Sequence, residues 1–556
     1  MTVSTWPRPR LLFLIVAHVL TLLAYPLAVG MLVDRLVAGD LRGFGTWAAL
    51  LVCLPIAEAL LYTVREADID LWAEHVGIDL RARLLSHTIG LPFTYFFGAK
   101  SGQLVTRLTE DVRQFADGRI LIADAIKYAL IITLALAFLT SGHWMLLVVV
   151  ASVGCAYAVN AALLLPMLRR ISTRHLSALE HVNEYLRERL HILPFTRFTG
   201  SSRWESDQFR YLSEMEVLPA QRQEALVTFL ISSTSGVLQA LNVASLYAVG
   251  GYLLYRHAIS LGELLMALGY AARVSFAAQQ FVDIARKYQT ASIAGKRAQE
   301  ILSVPSDDWT GTAPPPEVVK SIEWRDVSFQ YPNRDWVLKN FSLRIEAGEL
   351  TALTGPSGSG KSTALDIMVG LLQPQAGAVI INDTINLNEL DIELWRSRVA
   401  YGTQFQFFFT GNLRGNLTYP AQSDHEPRLV ELAEQLGLHR TIMSRPGGYD
   451  STQQIQKSFS GGQRQRVGLI RTLLTPAPAL LLLDEPTASL DAAAQSLAMN
   501  VILSMKHKCP VLITTHRPST IAYADKVALV ENGRVKVLTT DNGFNNHRRL
   551  VGPTPG

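Results

Sequence analysis

Two short stretches of this sequence carry residues suited to chemistry on a phosphate. The first is GPSGSGKST at 355–363. It follows the apolar run LTALT and precedes ALDIMVGLL, whose spacing predicts a helix, so a glycine-rich turn lies between a strand and a helix. Gly355, Gly358 and Gly360, with Pro356, Ser357 and Ser359 between them, let backbone N–H groups converge on one point. The helix start adds unpaired donors and the positive end of its dipole. Lys361 is placed to neutralise β- and γ-phosphate charge, Ser362 to offer its hydroxyl to Mg²⁺, and Thr363 to complete the first turn. The second stretch is LLLLDEP at 480–486. A buried strand ending in two acids puts both at the carboxyl edge of a sheet, where ligands bind in α/β folds. Asp484 is expected to hold Mg²⁺ through its water shell, and Glu485 to polarise an attacking water as general base. Phosphoryl transfer asks for positioning and charge stabilisation, which these groups supply.

A third stretch, SFSGGQRQR at 458–466, lies between them. Ser460 is suited to cap a helix beginning QRQRVGLIRTLL, with Gln463 in its first turn. Gly461 and Gly462 leave that helix start open to an anion, which makes a second phosphate site in the same half of the chain.

The elements that hold these residues fall into two halves. The 556 residues are 49% hydrophobic and only 18% charged, with a mean hydropathy of +0.19. Soluble proteins carry about 25% charge, so part of the chain belongs in lipid. The net charge of +4 gives no support to nucleic-acid binding, which needs a concentrated basic face. Cys53, Cys155 and Cys509 form no metal-binding spacing and read as reduced, buried filler. Arg8 and Arg10 precede an apolar run too long for a signal peptide, which reads as a retained first span.

Six candidate spans lie at 11–33, 47–64, 120–140, 144–167, 227–254 and 261–281, each near the roughly 20 residues that a bilayer requires. Short gaps with few basic residues alternate with long gaps rich in arginine, such as Arg169, Arg170, Arg174, Arg187 and Arg189. The positive-inside rule puts the long gaps and both termini in the cytoplasm. The long gaps keep a helical apolar period, so the helices extend beyond the bilayer. Glu58 and Asp124 fall inside candidate spans, where a charge is costly. They either serve function, line a wet cavity, or mark span edges misplaced by a turn. A linker rich in proline and glycine (SVPSDDWTGTAPPPE) ends this domain, giving boundaries of 1–302, 303–320 and 321–556. Beyond it, continuous apolar runs such as LTALT and VLITT alternate with helical patterns, as in a buried parallel sheet.

The order GPSGSGKST, SGGQ, LLLLDE, SLD and a later strand ending in His resembles that of the ATP-binding cassette (ABC) family. The six-span front half resembles its exporter-type half-transporters, with 91–115 and 187–209 similar to their two cytoplasmic loops. The fold implied is an all-α six-helix transmembrane domain followed by an α/β P-loop ATPase domain, with an added antiparallel β subdomain and a helical subdomain. The resemblance further implies that Tyr331 stacks on adenine, and that Gln404 senses Mg²⁺ and the attacking water. It gives His516 a contact with the γ-phosphate and places Asp491 at the nucleotide site. Ser460, Gly461, Gly462 and Gln463 would close over the ATP of a partner cassette, so ATP and Mg²⁺ are the implied cofactors. Coupling helices are expected near 98–103 and 195–200. Phe459 stands where the family has Leu, and STQQIQKS at 451–458 lacks the usual run before the signature.

One cassette and six spans imply a dimer, with a second copy or a close paralogue, embedded in the bacterial cytoplasmic (inner) membrane. The function implied is ATP-driven export of a peptide, lipid, drug or secondary metabolite by alternating access. An importer of a metal–siderophore complex built on the same fold, a regulatory or assembly protein with little transport, and a soluble cassette ATPase are the alternatives.

Overall fold

The computed structural model describes residues 9–98, 101–140, 143–307, 309–420 and 426–538. The chain divides into two compact units, Met1–Ile89 with Lys100–Val304, and Gly90–Ala99 with Pro305–Gly556. The short segment from Gly90 therefore groups with the second unit and not with the helices that flank it. Its aromatic residues explain this, since Phe93 packs against the buried core of the second unit. Of the coupling segment expected at 98–103, Ala99 and Lys100 lie outside the described residues.

Among the described residues of the first unit, six helices are long and apolar enough to cross a membrane. They are Pro9–Val37, Phe44–Ile89, Leu104–Thr140, Trp144–Leu190, Ser202–Tyr255 and Leu261–Ser303. The fourth has 47 residues, about 70 Å at 1.5 Å per residue, more than twice the ~30 Å hydrocarbon core. The long gaps of the sequence are thus continuations of the spans. Single π turns interrupt the third helix at Arg107–Asp111 and the fifth at Ser213–Val217. The second expected coupling segment, 195–200, overlaps a short helix, Leu193–Phe198.

The core of this unit joins Ile15, Val19 and Leu23 of the first helix to Ala123 and Ile131 of the third and Ala267 and Ala271 of the sixth. The two acids expected inside spans both have cationic or histidine neighbours. Glu58 Oε1 lies 3.8 Å from His18 Nε2. Asp124 accepts from Lys127 Nζ at 2.9 Å and lies 4.0 Å from Nη1 of the fully buried Arg65. Pairing lowers the cost of each charge in an apolar bundle. The cysteines depart from expectation, because only Cys509 is buried while Cys53 and Cys155 are exposed. Both lie in apolar spans, where a small thiol is as compatible with lipid as with a protein core.

The second unit contains two sheets. A four-stranded sheet has the order β2-β1-β4-β5, from β1 (Ser321–Gln330), β2 (Trp336–Glu346), β4 (Ala376–Ile381) and β5 (Ile385–Asn386), and its pairs are antiparallel. A six-stranded sheet has the order β10-β9-β3-β8-β7-β6. Its strands are β3 (Leu350–Thr354), β6 (Val399–Gly402), β7 (Leu480–Asp484), β8 (Val511–Thr514), β9 (Lys526–Glu531) and β10 (Arg534–Leu538). All its pairs are parallel except β10 with β9. β3, β7 and β8 are buried at every position, which accounts for their unbroken apolar sequences. Helices between Leu413 and Leu473 form the helical subdomain, with Leu417, Leu429, Leu432, Ile442 and Ile470 fully buried.

One side chain joins distant parts of the first unit. Asp34, near the end of the first helix, accepts from Ser260 Oγ at 2.7 Å and from Gly262 N at 2.8 Å. It thereby takes up donors at the start of the sixth helix, where Ser260 and Glu263 already form a reciprocal capping box. Asp34→Ala leaves these donors without their acceptor and is expected to cost about 1–2 kcal/mol, read as a lower unfolding temperature of the purified protein. Asp34→Asn, which keeps one acceptor oxygen, recovers part of the loss.

Candidate functional site

The phosphate-loop helix (Lys361–Val369) begins directly after β3 and a loop closed by Gly360, whose φ is +103°. A side chain there would be strained, and its Cβ would lie 2.7 Å from Leu338 Cδ2. Lys361 Nζ donates to the loop's own carbonyls, Gly355 O and Pro356 O, each at 2.9 Å. Burial draws its pKa below the ordinary lysine range, against the opposing charges of Glu485 and Asp484. Ser359 Oγ is buried without a hydrogen-bond partner. A loop with an unsatisfied hydroxyl, a lysine curled back onto it and an open helix start suits a phosphate chain.

The two acids at the end of β7 face different partners. Asp484 Oδ2 accepts from Ser362 Oγ at 2.8 Å, and its Oδ1 accepts a short hydrogen bond from Thr514 Oγ1. Thr514 Oγ1 in turn accepts from Glu485 N at 3.0 Å. Glu485 has φ +49°, a left-handed conformation uncommon outside glycine. Its carboxylate is held from both sides. Gln404 Nε2 donates to Oε2 at 3.1 Å, and His516 Nδ1 lies 3.0 Å from Oε1. The four elements that bear Ser362, Gln404, Glu485 and His516 thus converge at the carboxyl edge of the six-stranded sheet. Ser362 beside Asp484 is a hydroxyl–carboxylate pair of the kind that holds Mg²⁺ with its waters.

The signature helix (Gly461–Leu473) is capped by Ser460, whose Oγ accepts from Gln463 N at 3.3 Å while Ser460 N donates to Gln463 Oε1 at 3.0 Å. A Cβ on Gly462 would lie 2.8 Å from Ser489 O, so this position needs glycine for packing alone. Phe459 is buried beneath the Arg445 guanidinium, 3.8 Å from its ring centroid, a stacking that leucine would not offer. Asp491 caps the helix Ala492–Met505, accepting from Ala494 N at 2.8 Å.

Tyr331 lies against the phosphate-loop helix, its hydroxyl 3.1 Å from Thr363 Oγ1. Its ring is flanked edge-on by Phe329 and Phe97. The exposed aromatic beside the loop is Trp336, which with Lys339, Ser357, Ser359 and Asn532 lines a recess of about 620 Å³. Sequence reasoning passed over it because a lone Trp at a strand start carries no motif.

Two further residues were missed for the same reason. Gln465 is buried, donates to Glu485 O at 2.7 Å and accepts from Ser489 N at 2.8 Å, which ties the signature helix to the end of β7. Asp366, one turn beyond Ser362, accepts from Tyr401 Oη on β6 at 3.0 Å. The i, i+4 spacing of Ser362 and Asp366 was the available signal.

Fold and site together define a membrane-embedded protein with a nucleotide triphosphatase domain. The family model for ABC transporters matches residues 338–488, and that for the ABC transporter transmembrane region matches residues 11–278. The chain belongs to the ABC transporter family. It is 26% identical over 563 residues to a multidrug resistance ABC transporter ATP-binding and permease protein of Lactococcus lactis subsp. lactis (strain IL1403), across 99% of this chain and 92% of that protein. It is 25% identical to an ATP-dependent lipid A-core flippase of Saccharophagus degradans, across 83% of this chain and 78% of that protein. The solved structure of a bacterial Atm1-family ABC exporter with ATP bound superposes with a TM-score of 0.86 at 17% identity, covering 98% of each chain. The chain is an exporter-type half-transporter, an integral membrane protein whose ATP hydrolysis is coupled to transport.

Asp366 gives the site a measurable pH dependence. Burial pushes its carboxyl up to about 6, the hydrogen bond from Tyr401 opposes this, and the charge of Asp484 adds to it. The folded chain therefore holds a proton that an ordinary aspartate, at 3.8, releases. This contribution is fully present at low pH and is lost as pH rises through about 4 to 6. Asp366→Asn cannot ionise, so the decline in unfolding temperature over that window should flatten. The difference between variant and wild type would approach ~3 kcal/mol above pH 6.

Proposed function

We propose that two such chains form a dimer whose cassettes close over two ATP molecules, and that this cycle exports a substrate from the cytoplasm. The substrate classes in view are lipids, drugs, peptides and secondary metabolites. The names of the multidrug and lipid A-core flippase relatives support the first two. The membrane in question would be the bacterial cytoplasmic membrane, with both termini and the cassette on its inner side. The observation that carries the reading is the pair of consecutive acids at the end of β7, one beside Ser362 and the other between Gln404 and His516.

In this reading the loop from Gly355 to Gly360 and Lys361 bind the phosphate chain. Thr363, Tyr331 and Trp336 bound the nucleoside end. Ser362, Asp484 and Gln404 would hold Mg²⁺, which when bound offsets phosphate charge. Glu485 accepts the proton of the attacking water at one carboxylate oxygen, and Gln404 and His516 fix the orientation of that carboxylate. The capped signature with Ser460, Gly461, Gly462 and Gln463 is half of a site completed by the other chain. ATP moves substrate only through its different affinity for the open and closed states.

Reconstituted protein should hydrolyse ATP, and Glu485→Gln should slow turnover by at least about a hundredfold while nucleotide still binds. Equal rates for the two would sink the active-homodimer reading. ATP-dependent uptake of a fluorescent lipid or dye into inside-out vesicles checks direction, since an importer would deplete the lumen instead.

A further inference from the structure

The first unit contains a largely apolar cavity of about 190 Å³ between the fourth, fifth and sixth long helices. Its walls combine two kinds of residue. Leu165, Leu168, Leu176, Leu179 and Ile293 supply apolar surface, and Arg169, His175, Glu224 and Arg286 supply charge or polarity. Three helices place this cavity at the same depth. On the fourth, the apolar run ends at Met167 and Arg169 follows. On the fifth, Glu224 precedes the apolar run that begins at Val227. On the sixth, the run ends at Phe281, and Arg286 lies just over a turn beyond. Leu168 of its wall also belongs to a small buried apolar cluster with Ile171 and Val227. Arg169 and Arg286 therefore lie just past the apolar runs, at headgroup depth on the cytoplasmic side in the topology proposed above, and Ser172, Leu179 and Ile293 continue the cavity away from the bilayer.

The charges within it are unevenly committed. Both Glu224 oxygens are taken, Oε1 by Ser172 Oγ and Oε2 by His175 Nδ1, each at 2.6 Å. Arg286 has Asp283 at 4.0 Å and lies within electrostatic reach of Glu224. Among the described residues, Arg169 has no side-chain hydrogen bond or ion pair. Two guanidiniums, one of them uncommitted, thus border a leucine-lined recess at the membrane surface. Arginine is the residue best shaped to accept two phosphate oxygens at once. Basic recesses between spanning helices on the cytoplasmic side suit anionic lipid headgroups.

We infer that this cavity is a binding site for an anionic phospholipid of the inner leaflet. Its phosphate sits between Arg169 and Arg286, and the start of its acyl chains lies against Leu165 and Leu168. The occupant is a lipid and not a free anion because both cations lie within about a turn and a half of the ends of apolar runs and Leu165 lies inside one. The site lies within one chain, so it needs neither the dimer nor any particular transported substrate. Its failure would leave the exporter reading untouched.

The test uses the full-length protein in nanodiscs of phosphatidylcholine doped with phosphatidylglycerol, with retained lipids counted by native mass spectrometry. Wild type should retain phosphatidylglycerol in preference to phosphatidylcholine. The Arg169→Gln, Arg286→Gln double variant should lower that preference on the order of tenfold, and the double lysine variant should keep most of it. The Arg203→Gln, Arg210→Gln pair, which removes the same charge from exposed positions outside the cavity, should leave it intact. An unchanged preference in the Arg169/Arg286 variant overturns the inference, as does equal loss in the Arg203/Arg210 variant. Displacement of the retained lipid by inorganic phosphate alone assigns the site to a free anion and overturns it as well. Unfolding temperatures measured alongside separate loss of the site from loss of the fold.

Discussion

Two carboxylates on consecutive residues of a strand would ordinarily project to opposite faces of the sheet. Here both must serve one small volume at its carboxyl edge. The chain resolves this by ending β7 at Asp484 and turning Glu485 into the left-handed region. Thr514 stabilises the turn, since one hydroxyl donates to Asp484 and accepts from the Glu485 amide. Because β8 pairs in parallel with β7, Thr514 stands directly beside Asp484. Strand register, backbone strain and the separation of the two acids are therefore one constraint, and strain of this kind is sustained only where the surroundings fix it.

The rest of the second unit reads as support for that edge. The phosphate-loop helix is tied to its neighbours at three positions, Ser362 to β7, Thr363 to Tyr331 and Asp366 to β6. β6 then delivers Gln404 to the same carboxylate that His516 reaches from the end of β8. Gln465 reaches the backbone of Glu485 from the signature helix. The helix proposed to offer its start to a second phosphate is thus anchored on the residue proposed to activate water at the first. Burial supplies the rigidity, with Leu481, Leu482, Leu512 and Ile513 fully enclosed beneath.

Much of this was legible in the sequence because each piece is local. GPSGSGKST, SGGQ and LLLLDE are contiguous, and a loop between a strand and a helix leaves a pattern within a dozen residues. Six apolar stretches are legible because lipid imposes a length. What escaped detection depends on contacts between distant residues. Asp366 and Tyr401 are 35 residues apart, Gln465 and Glu485 20 apart, and Asp34 and Ser260 226 apart. No periodicity announces such pairs. The grouping of Gly90–Ala99 with the second unit was hidden likewise, since aromatic residues between two helices do not say which core will take them. The first gap between the candidate spans is largely helical, since helix one reaches Val37 and the next helix resumes at Leu41.

The helices that outrun the bilayer have a mechanical meaning. A 47-residue helix behaves as a rod about 70 Å long. Pivoting such a rod through some ten degrees at one end sweeps the other through roughly 12 Å, by arc length on the same rise per residue. Sub-ångström adjustments around a phosphate cannot open a passage for a bulky molecule by themselves, but a lever of this length multiplies a small rotation into a displacement wider than a helix. The π turns at Arg107–Asp111 and Ser213–Val217 interrupt the regular winding of two such rods, and an interrupted winding is where a lever bends under load before its shaft does.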